Sequence, residues 1–530
     1  MTLSILLVAT VIFLCILADK FSGKFGMPAL ILFMFIGMLF GSDGIMKIPF
    51  DDFKLAEDIC SIALLFIMFY GGFNTKWQAA KTVAVKAGIL STAGVAITAG
   101  ITALLCHVLL HFTILESILI GAVLSSTDAA SVFSILRQKK LNLKNGTASL
   151  LEIESGSNDP MSYMLTVLCI SLISSSDGMK NIPYFLFSQL VYGIVLGALF
   201  AVISVWLMSK KKLIPEGLDT IFMIATVLLC FGLCSLIGGN QYLGVYLMGI
   251  IIGNSDIPNK SILIPFFDGI TGLAQILLFF ILGFLAFPHQ MPAMLLPAVV
   301  ITVILTFIAR PIAVFLFLIP FRCSIRQCLL ISWAGLRGAA SIVFSIMALA
   351  QGVEVSYDLY HIVLMVAFFS VSIQGTLLPF VSKKLDMVDE TSDVRKTFND
   401  YQEESAITLM QMHIPDSHNW VNKYIRDVNI PTGSLAIMIK RGQETIVPKG
   451  DTKILAGDQV ILSVPVYEAA EQEQLEEIHI CKGHAWCDKT IAELNLADNE
   501  LITMIIRGDE NLIPDGKTVI LEDDIVVAFH

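Results

Sequence analysis

The run Glu152-Ile-Glu-Ser-Gly-Ser-Asn-Asp-Pro160 crowds oxygen-bearing side chains into an apolar stretch. On a helix, Ser155, Asn158 and Asp159 stand at i, i+3 and i+4 and share one face. A carboxylate, an amide oxygen and a hydroxyl are hard ligands that suit a monovalent cation, and the carboxylate can hold a proton instead. Pro160 removes a backbone donor and loosens the helix there. The competing reading is a solvated Asx-Pro loop. A second polar run, Ser125-Ser-Thr-Asp128, interrupts the apolar segment 114–136. Its hydroxyls compete for backbone groups, and Asp128 is placed to cap a restarted half-helix. Thr127 and the freed carbonyls would complete a ligand shell around Asp159. A third run, Gly335-Leu-Arg-Gly338, sets Arg337 between two glycines, and Arg310 lies in Ala309-Arg-Pro311.

The segments carrying these residues must span a membrane. The chain has 530 residues, 55 % of them hydrophobic and only 15 % charged, with a mean hydropathy of +0.77. A soluble chain is nearer a quarter charged. A spanning helix needs about 20 apolar residues, and thirteen spans are expected near 3–19, 27–42, 56–73, 83–110, 114–136, 147–174, 183–208, 218–238, 241–254, 261–287, 293–320, 327–351 and 357–381. Loops after odd-numbered spans carry Lys20 and Lys24; Lys76, Lys81 and Lys86; Arg137, Lys139, Lys140 and Lys144; Lys210, Lys211 and Lys212; Lys260; Arg322 and Arg326; Lys383 and Lys384. Loops after even-numbered spans carry only Lys47, Lys54 and Lys180. Positive loops stay cytoplasmic, so an outside N-terminus and an inside C-terminus are expected. The first apolar block lacks a basic leader and a small-residue cleavage site and reads as a retained helix.

A charge at membrane depth costs at least about 2.5 kcal/mol. Asp128, Glu154, Asp159, Arg310 and Arg337 must therefore pair, line a wet cavity or bind an ion. Glu152 is a sixth candidate, read otherwise as a loop residue. Arg337 is expected to offset carbonyl ends of its own break, as Asp128 offsets the positive end of a half-helix. Two interrupted helices, one early and one late, mark inverted-repeat transporters whose substrate site lies between them. Two ordinary kinks are the plainer alternative.

After about residue 385 the sequence turns charged. A domain at 1–385, a linker at 386–403 and two tail domains at 404–468 and 470–530 are expected. The tail repeats with a period of 66 residues: Trp420, Ile425, Asn429, Leu435, Arg441, Gly442 and Asp458 recur as Trp486, Ile491, Asn495, Leu501, Arg507, Gly508 and Asp524. Each copy reads helix, strand, Arg-Gly turn, short strand, Pro/Gly turn, strand. The net charge of −11 gives no sign of nucleic-acid binding. Most of the ten cysteines lie in apolar blocks as small hydrophobes. Cys481, His484 and Cys487 lack a second ligand pair, so no metal is expected. His107 and His111 read as an interfacial pair.

Ser126-Thr127-Asp128-Ala129, Glu154-Ser155 with Asn158-Asp159, Ala309-Arg310-Pro311 and Gly335-Leu336-Arg337-Gly338-Ala339 resemble the cation:proton antiporter-1 family, nearest its potassium/proton antiporters of the cell volume regulation protein A type. The resemblance implies an all-α polytopic membrane protein with NhaA-like inverted repeats and two unwound crossing helices, followed by a cytoplasmic α+β tail. It implies a homodimer in the cell membrane with a moving six-helix core. Asp159 and Asn158 would form the exchange site, with Asp128 and Thr127 at the crossing and Glu154 paired to Arg310. One departure stands out: many relatives carry an acid before the Gly-Gly of the third span, where this chain has Tyr70. The tail resembles tandem TrkA-C domains, the C-terminal half of the RCK module. No G-x-G-x-x-G follows a strand in it, so no nucleotide cofactor is expected, and a tail ligand stays open. The transported ions would be K+ and H+. A Na+/H+ exchanger with the same ligands is the first alternative, and a regulated cation channel the second, though no T-V-G-Y-G-type filter is present. No catalytic constellation points to an enzyme.

Overall fold

The computed structural model describes residues 2–25, 28–139, 141–174, 181–210, 214–215, 217–389, 407–415, 418–428, 430, 434–441, 444–465, 475–481, 484, 486–494, 496, 501–507, 510–512 and 514–529. Lys140, Lys180, Lys211, Lys212, Asn429, Asn495, Gly442, Gly508 and most of the expected linker lie outside them. The chain divides into two compact units, Met1–Asp400 and Tyr401–His530.

The described residues of the first unit form helical segments in the order expected: Thr2–Phe25, Ala29–Phe40, Phe53–Asn74, Ala84–Leu110, a broken pair Ile114–Val123 and Ala129–Gln138, Thr147–Ser174, Ile182–Lys210, Asp219–Leu236, Gln241–Gly253, Lys260–Phe284, Met291–Leu318, a second broken pair Ile325–Trp333 and Ala339–Ala350, and Leu359–Lys384. Eight described helices are long and apolar enough to cross a membrane. The segment Thr147–Ser174 has the length too, but it carries the acids. Large apolar side chains such as Leu6, Phe13, Leu104, Val202 and Leu296 are exposed along these helices, as on surfaces that face lipid rather than water.

Three segments contain π-helical turns, at Leu90–Gly94, Leu305–Ala309 and Ser370–Gly375. The middle one ends where Pro311 would otherwise clash with the preceding turn, and it delivers Arg310 to the interior, 2 % exposed. His111 closes Ala84–Leu110 in the left-handed region (φ 56°). The neighbouring His107 meets the Phe112 carbonyl through Nδ1 at 2.7 Å, so this pair finishes a helix.

The end of the last span is clipped to the loop that joins the first broken helix to Thr147–Ser174. Lys144 N–H donates to Met387 O and Asp389 N–H to Asn142 O, both at 2.9 Å, flanking an antiparallel Leu143–Val388 bridge. Lys144 Nζ reaches Asp386 Oδ1 at 2.9 Å, and Arg326 reaches its other oxygen at 3.3 Å.

The tail holds two four-stranded antiparallel sheets. Strands β1 (Ile407–His413), β2 (Leu435–Arg441), β3 (Glu444–Ile446) and β4 (Gln459–Pro465) lie in the order β1-β4-β2-β3. Strands β5 (Leu475–His479), β6 (Leu501–Arg507), β7 (Glu510–Leu512) and β8 (Ile525–Phe529) repeat it as β5-β8-β6-β7. Even the register shifts recur, at Ala436/Met438 and Ile502/Met504. The small cores match at the same spacing: Ile414, Ile439, Ile454 and Val460 in one copy, Ile480, Ile505, Ile520 and Val526 in the other.

The expected opening helix of each copy is corrected by the structure. It is a single 3-10 turn, Ile425–Asp427 and Ile491–Glu493, and a strand comes before it. Three residues cannot sustain a nucleated helix. The missed strands β1 and β5 earn their place by pairing with the last strand of their own copy, a contact that no local pattern announces.

Candidate functional site

Both breaks expected from sequence are present. Helical hydrogen bonding ends with Leu124 before the helix that starts at Ala129, and again with Ala334 before the helix that starts at Ala339. The two breaks meet through their backbones, with Asp128 N–H donating to Leu336 O at 2.8 Å. Glycine makes the crossing possible. A Cβ on Gly338 would fall into the Asp128 carboxylate, and one on Gly335 would lie 2.8 Å from Arg310 Nε.

Asp128 caps the second half of the first broken helix. Its carboxylate accepts the Ser131 N–H at 3.2 Å and the Ser131 hydroxyl at 2.5 Å. Arg337 is 2 % exposed and donates through Nη1 to Ser125 O at 2.8 Å and Ser126 O at 2.5 Å. The carbonyls it meets thus belong to the other break and not to its own, because the crossing lays the two broken ends against each other. Its own backbone N–H is taken by Ser370 Oγ at 3.0 Å, on the π turn of the last span.

The segment Thr147–Ser174 stays helical through Pro160, whose carbonyl accepts from Asn240 Nδ2 at 2.7 Å. The Asx-Pro loop reading is therefore excluded. Its polar face lies against the first break. Ser155 Oγ donates to Thr127 O at 2.6 Å, and Asn158 Nδ2 donates to Thr127 Oγ1 at 2.5 Å. Ser126 Oγ donates to Asp159 Oδ1. One turn back, Glu154 accepts a bidentate pair from Arg310, Nη1 to Oε1 at 2.8 Å and Nη2 to Oε2 at 2.6 Å. Both side chains are enclosed, at 0 % and 3 % exposure. Asn158 Nδ2 also approaches Glu154 Oε1 at 3.4 Å, so the ion pair and the polar face are one network. Glu152 is half-buried on the same helix, and two residues from Glu154 it points elsewhere. Tyr70 lies half-buried on Phe53–Asn74, packed against the main core.

Sequence reasoning passed over several members. Ser126 was inside the polar run, but nothing in one dimension aims it at residue 159. Ser131, Ser370 and Asn240 act from neighbouring turns and helices. Glu116 is a buried acid that reads as a charge in the fifth span. It forms a capping box with Thr113 and accepts the Ser356 N–H at 2.5 Å. In the tail, His484 belongs to the repeat: its Nδ1 accepts the Trp486 N–H at 3.2 Å, as His418 accepts from Trp420 at 3.2 Å. The first copy places Pro415 and Val421 where the second has Cys481 and Cys487, so the histidine has a turn-forming use that needs no cysteine.

A polytopic chain with two broken helices that cross, and a carboxylate, Asp159, held against the first of them, has the architecture of an ion-coupled carrier. The comparisons with known proteins give the particular family. Residues 8–384 match the family model described as sodium/hydrogen exchanger, transmembrane, and residues 409–471 and 475–529 match TrkA-C domains. The chain belongs to the sodium/hydrogen exchanger family. It is 31 % identical over 464 residues to the K(+)/H(+) antiporter NhaP of Alkalimonas amylolytica, covering 87 % of this chain and 81 % of that protein. It is 30 % identical to K(+)/H(+) antiporter NhaP2 of Shewanella sp. (strain ANA-3), covering 84 % and 78 %. The solved sodium proton antiporter MjNhaP1 of Methanocaldococcus jannaschii shares the fold, with a TM-score of 0.63 at 22 % identity, over 72 % of this chain and 99 % of that one.

Proposed function

We propose that this protein exchanges K+ for H+ across the cytoplasmic membrane, the two ions occupying Asp159 in turn. The observation that carries this is the contact of Asp159 with the first break, which crosses the second, with Ser126 as its one hydrogen-bond donor among the described residues. Other charges nearby are committed: Glu154 to Arg310, Asp128 to Ser131, and Arg337 to two carbonyls. A single titrating acid that must carry either ion couples the two fluxes, because moving it bare through low dielectric is expensive. It also makes the exchange one-for-one and electroneutral. Potassium is favoured over sodium by the names of the relatives that align over most of the chain. Na+/H+ exchange is the second reading, favoured by a 26 % identical Na(+)/H(+) antiporter 1 of Methanocaldococcus jannaschii.

Cation-induced dissipation of a pH gradient in proteoliposomes tests both, with K+, Na+, Rb+ and Li+ in parallel. Asp159→Asn abolishes exchange and leaves expression and melting temperature unchanged. Exchange surviving in that variant removes Asp159 from the mechanism, and cation flux without proton movement makes the protein a channel.

The loop charges orient the chain with the N-terminus outside and the tail in the cytoplasm. The protein works as a homodimer, and the tail regulates it. Support for regulation comes from the clip at residues 386–389, which ties the stretch before the tail to the loop preceding the Asp159 helix. A chain stopped after residue 400 keeps the clip and exchanges with altered pH or cation dependence. An unchanged profile with only lower stability reduces the tail to a stabilising role.

A further inference from the structure

We propose that the Ser126 hydroxyl is a ligand of the transported cation and sets its selectivity, while the Thr127 side chain positions the site without touching the ion. The proposal deepens the reading of Asp159 as the exchange site and rests on it.

The first break offers three carbonyls and three hydroxyls, and a cation competes least with the protein for oxygens to which no donor is already directed. Ser125 O and Ser126 O are held by the Arg337 guanidinium. Thr127 O is held by Ser155 Oγ, and Thr127 Oγ1 receives Asn158 Nδ2. The Ser125 hydroxyl turns away to Ala122 O at 2.7 Å. The Asp128 carboxylate serves Ser131. Ser126 Oγ and Asn158 Oδ1 are left with no donor among the described residues. Ser126 Oγ donates to Asp159 Oδ1 and accepts no hydrogen bond among the described residues. Asn158 Oδ1, on a residue 0 % exposed, has no hydrogen-bond partner at all.

A buried amide oxygen without a donor is costly, a cost that a bound cation removes. It is left free because Asn158 spends its NH2 on Thr127 and Glu154, and this fixes which way the amide faces. Ser126 suits either occupant of Asp159. With a cation bound, the hydroxyl keeps donating its hydrogen bond to the carboxylate and turns a lone pair to the ion. With the carboxyl protonated, the hydroxyl rotates and accepts from it. Ser126 is 1 % exposed, so no water replaces it readily. Because the cation's partners are then few and held on two different segments, their separation decides which ionic radius fits. Ser126 then sets selectivity as well as affinity.

The test compares Ser126→Ala with Thr127→Val in the full-length protein, reading exchange against K+ and Na+ concentration. Loss of one ligand raises the KM for K+ about tenfold, the equivalent of one charge-assisted contact, and moves the K+/Na+ ratio of KM values at least about threefold. Thr127→Val lowers turnover and leaves that ratio within about twofold. A KM ratio does not depend on how much protein is active, so partial misfolding does not confuse it. If Ser126→Ala is folded but silent in transport, the K+ concentration giving half of the cation-induced melting shift replaces KM and must rise by a similar factor. An unchanged ratio and unchanged half-saturation in Ser126→Ala, or a ratio moved only by Thr127→Val, overturns the proposal. Asp159→Asn run alongside separates the two readings. Retained exchange there removes the exchange site itself, whereas abolished exchange with Ser126→Ala indistinguishable from wild type removes only the role of Ser126.

Discussion

Two regions of this molecule use the same device, an arginine gripping a carboxylate with two parallel hydrogen bonds, in opposite surroundings. In the membrane unit Arg310 and Glu154 are 3 % and 0 % exposed, come from segments 156 residues apart, and share their network with the Asp159 helix. In the tail Arg441 grips Asp458 through Nε and Nη2 at 2.9 and 2.8 Å, and Arg507 grips Asp524 at 2.8 and 2.7 Å, each pair only 17 residues apart. There the aspartates are buried, but the arginine side chains stay about a third exposed, at 34 % and 36 %. Burial decides what the pair means. Where water reaches one partner, losing the other leaves a charge that solvent can serve. Where it reaches neither, an orphaned charge stays bare.

The largest expected effect follows from the enclosed pair. Glu154→Gln leaves Arg310 buried without a counter-charge and destabilises the protein by about 3–5 kcal/mol. The check is melting of the detergent-solubilised protein followed by size-exclusion fluorescence. Normal stability with lost exchange would place Glu154 in the ion site and erase the contrast with the tail.

The tail pairs give a smaller effect. Asp524→Asn weakens a charge-assisted pair and the bond its Oδ2 accepts from Leu521 N–H, at about 1.5–3 kcal/mol. Limited proteolysis of the full chain should then cut within 475–529 sooner, while the melting of the membrane unit is unmoved. Asp458→Asn should do the same within 407–465, since the contacts repeat with a period of 66 residues. A tail substitution that melts the membrane unit would break the comparison from the other side.

The smallest effect is a pH dependence confined to the tail. Hydrogen bonds from Arg507 hold the Asp524 carboxyl below its ordinary range, outweighing burial, which pushes the other way, with the Leu521 N–H assisting. For Asp458 burial is the strongest influence and pushes up, yet the Arg441 and Leu455 donors together win. A carboxyl depressed in the folded state stabilises at pH values above its unfolded value of about 3.9, and that stability fades as pH falls through and below it. Resistance of the tail to pepsin should drop as pH falls below about 4, and less so in Asp524→Asn, which has no carboxylate to lose. Equal acid sensitivity in both would sink this account.

The residues of the candidate site were largely legible in one dimension. Charges in apolar stretches demand a reason, and that singled out Asp128, Glu154, Asp159, Arg310 and Arg337. Period-four spacing put Ser155 and Asp159 on one helix face. Orientation was not legible. Arg337 was expected to serve its own break, and only the crossing turned it to Ser125 and Ser126. Ser126 stood in plain view, yet its partner lies 33 residues away on another segment. The tail shows the same boundary. Its duplication was readable because every matched residue repeats, but β1 and β5 were not, because a strand that completes a sheet owes its existence to its partner.

The amino-acid sequence alone determined the apolar spans, the two points where helix could not continue, the inventory of charges and the doubled tail, because each follows from local composition and spacing. The tertiary structure alone decided which oxygen each donor claims and which are left free. Those choices depend on the crossing of segments far apart in the chain, and a hydrogen bond exists only where two such groups arrive together.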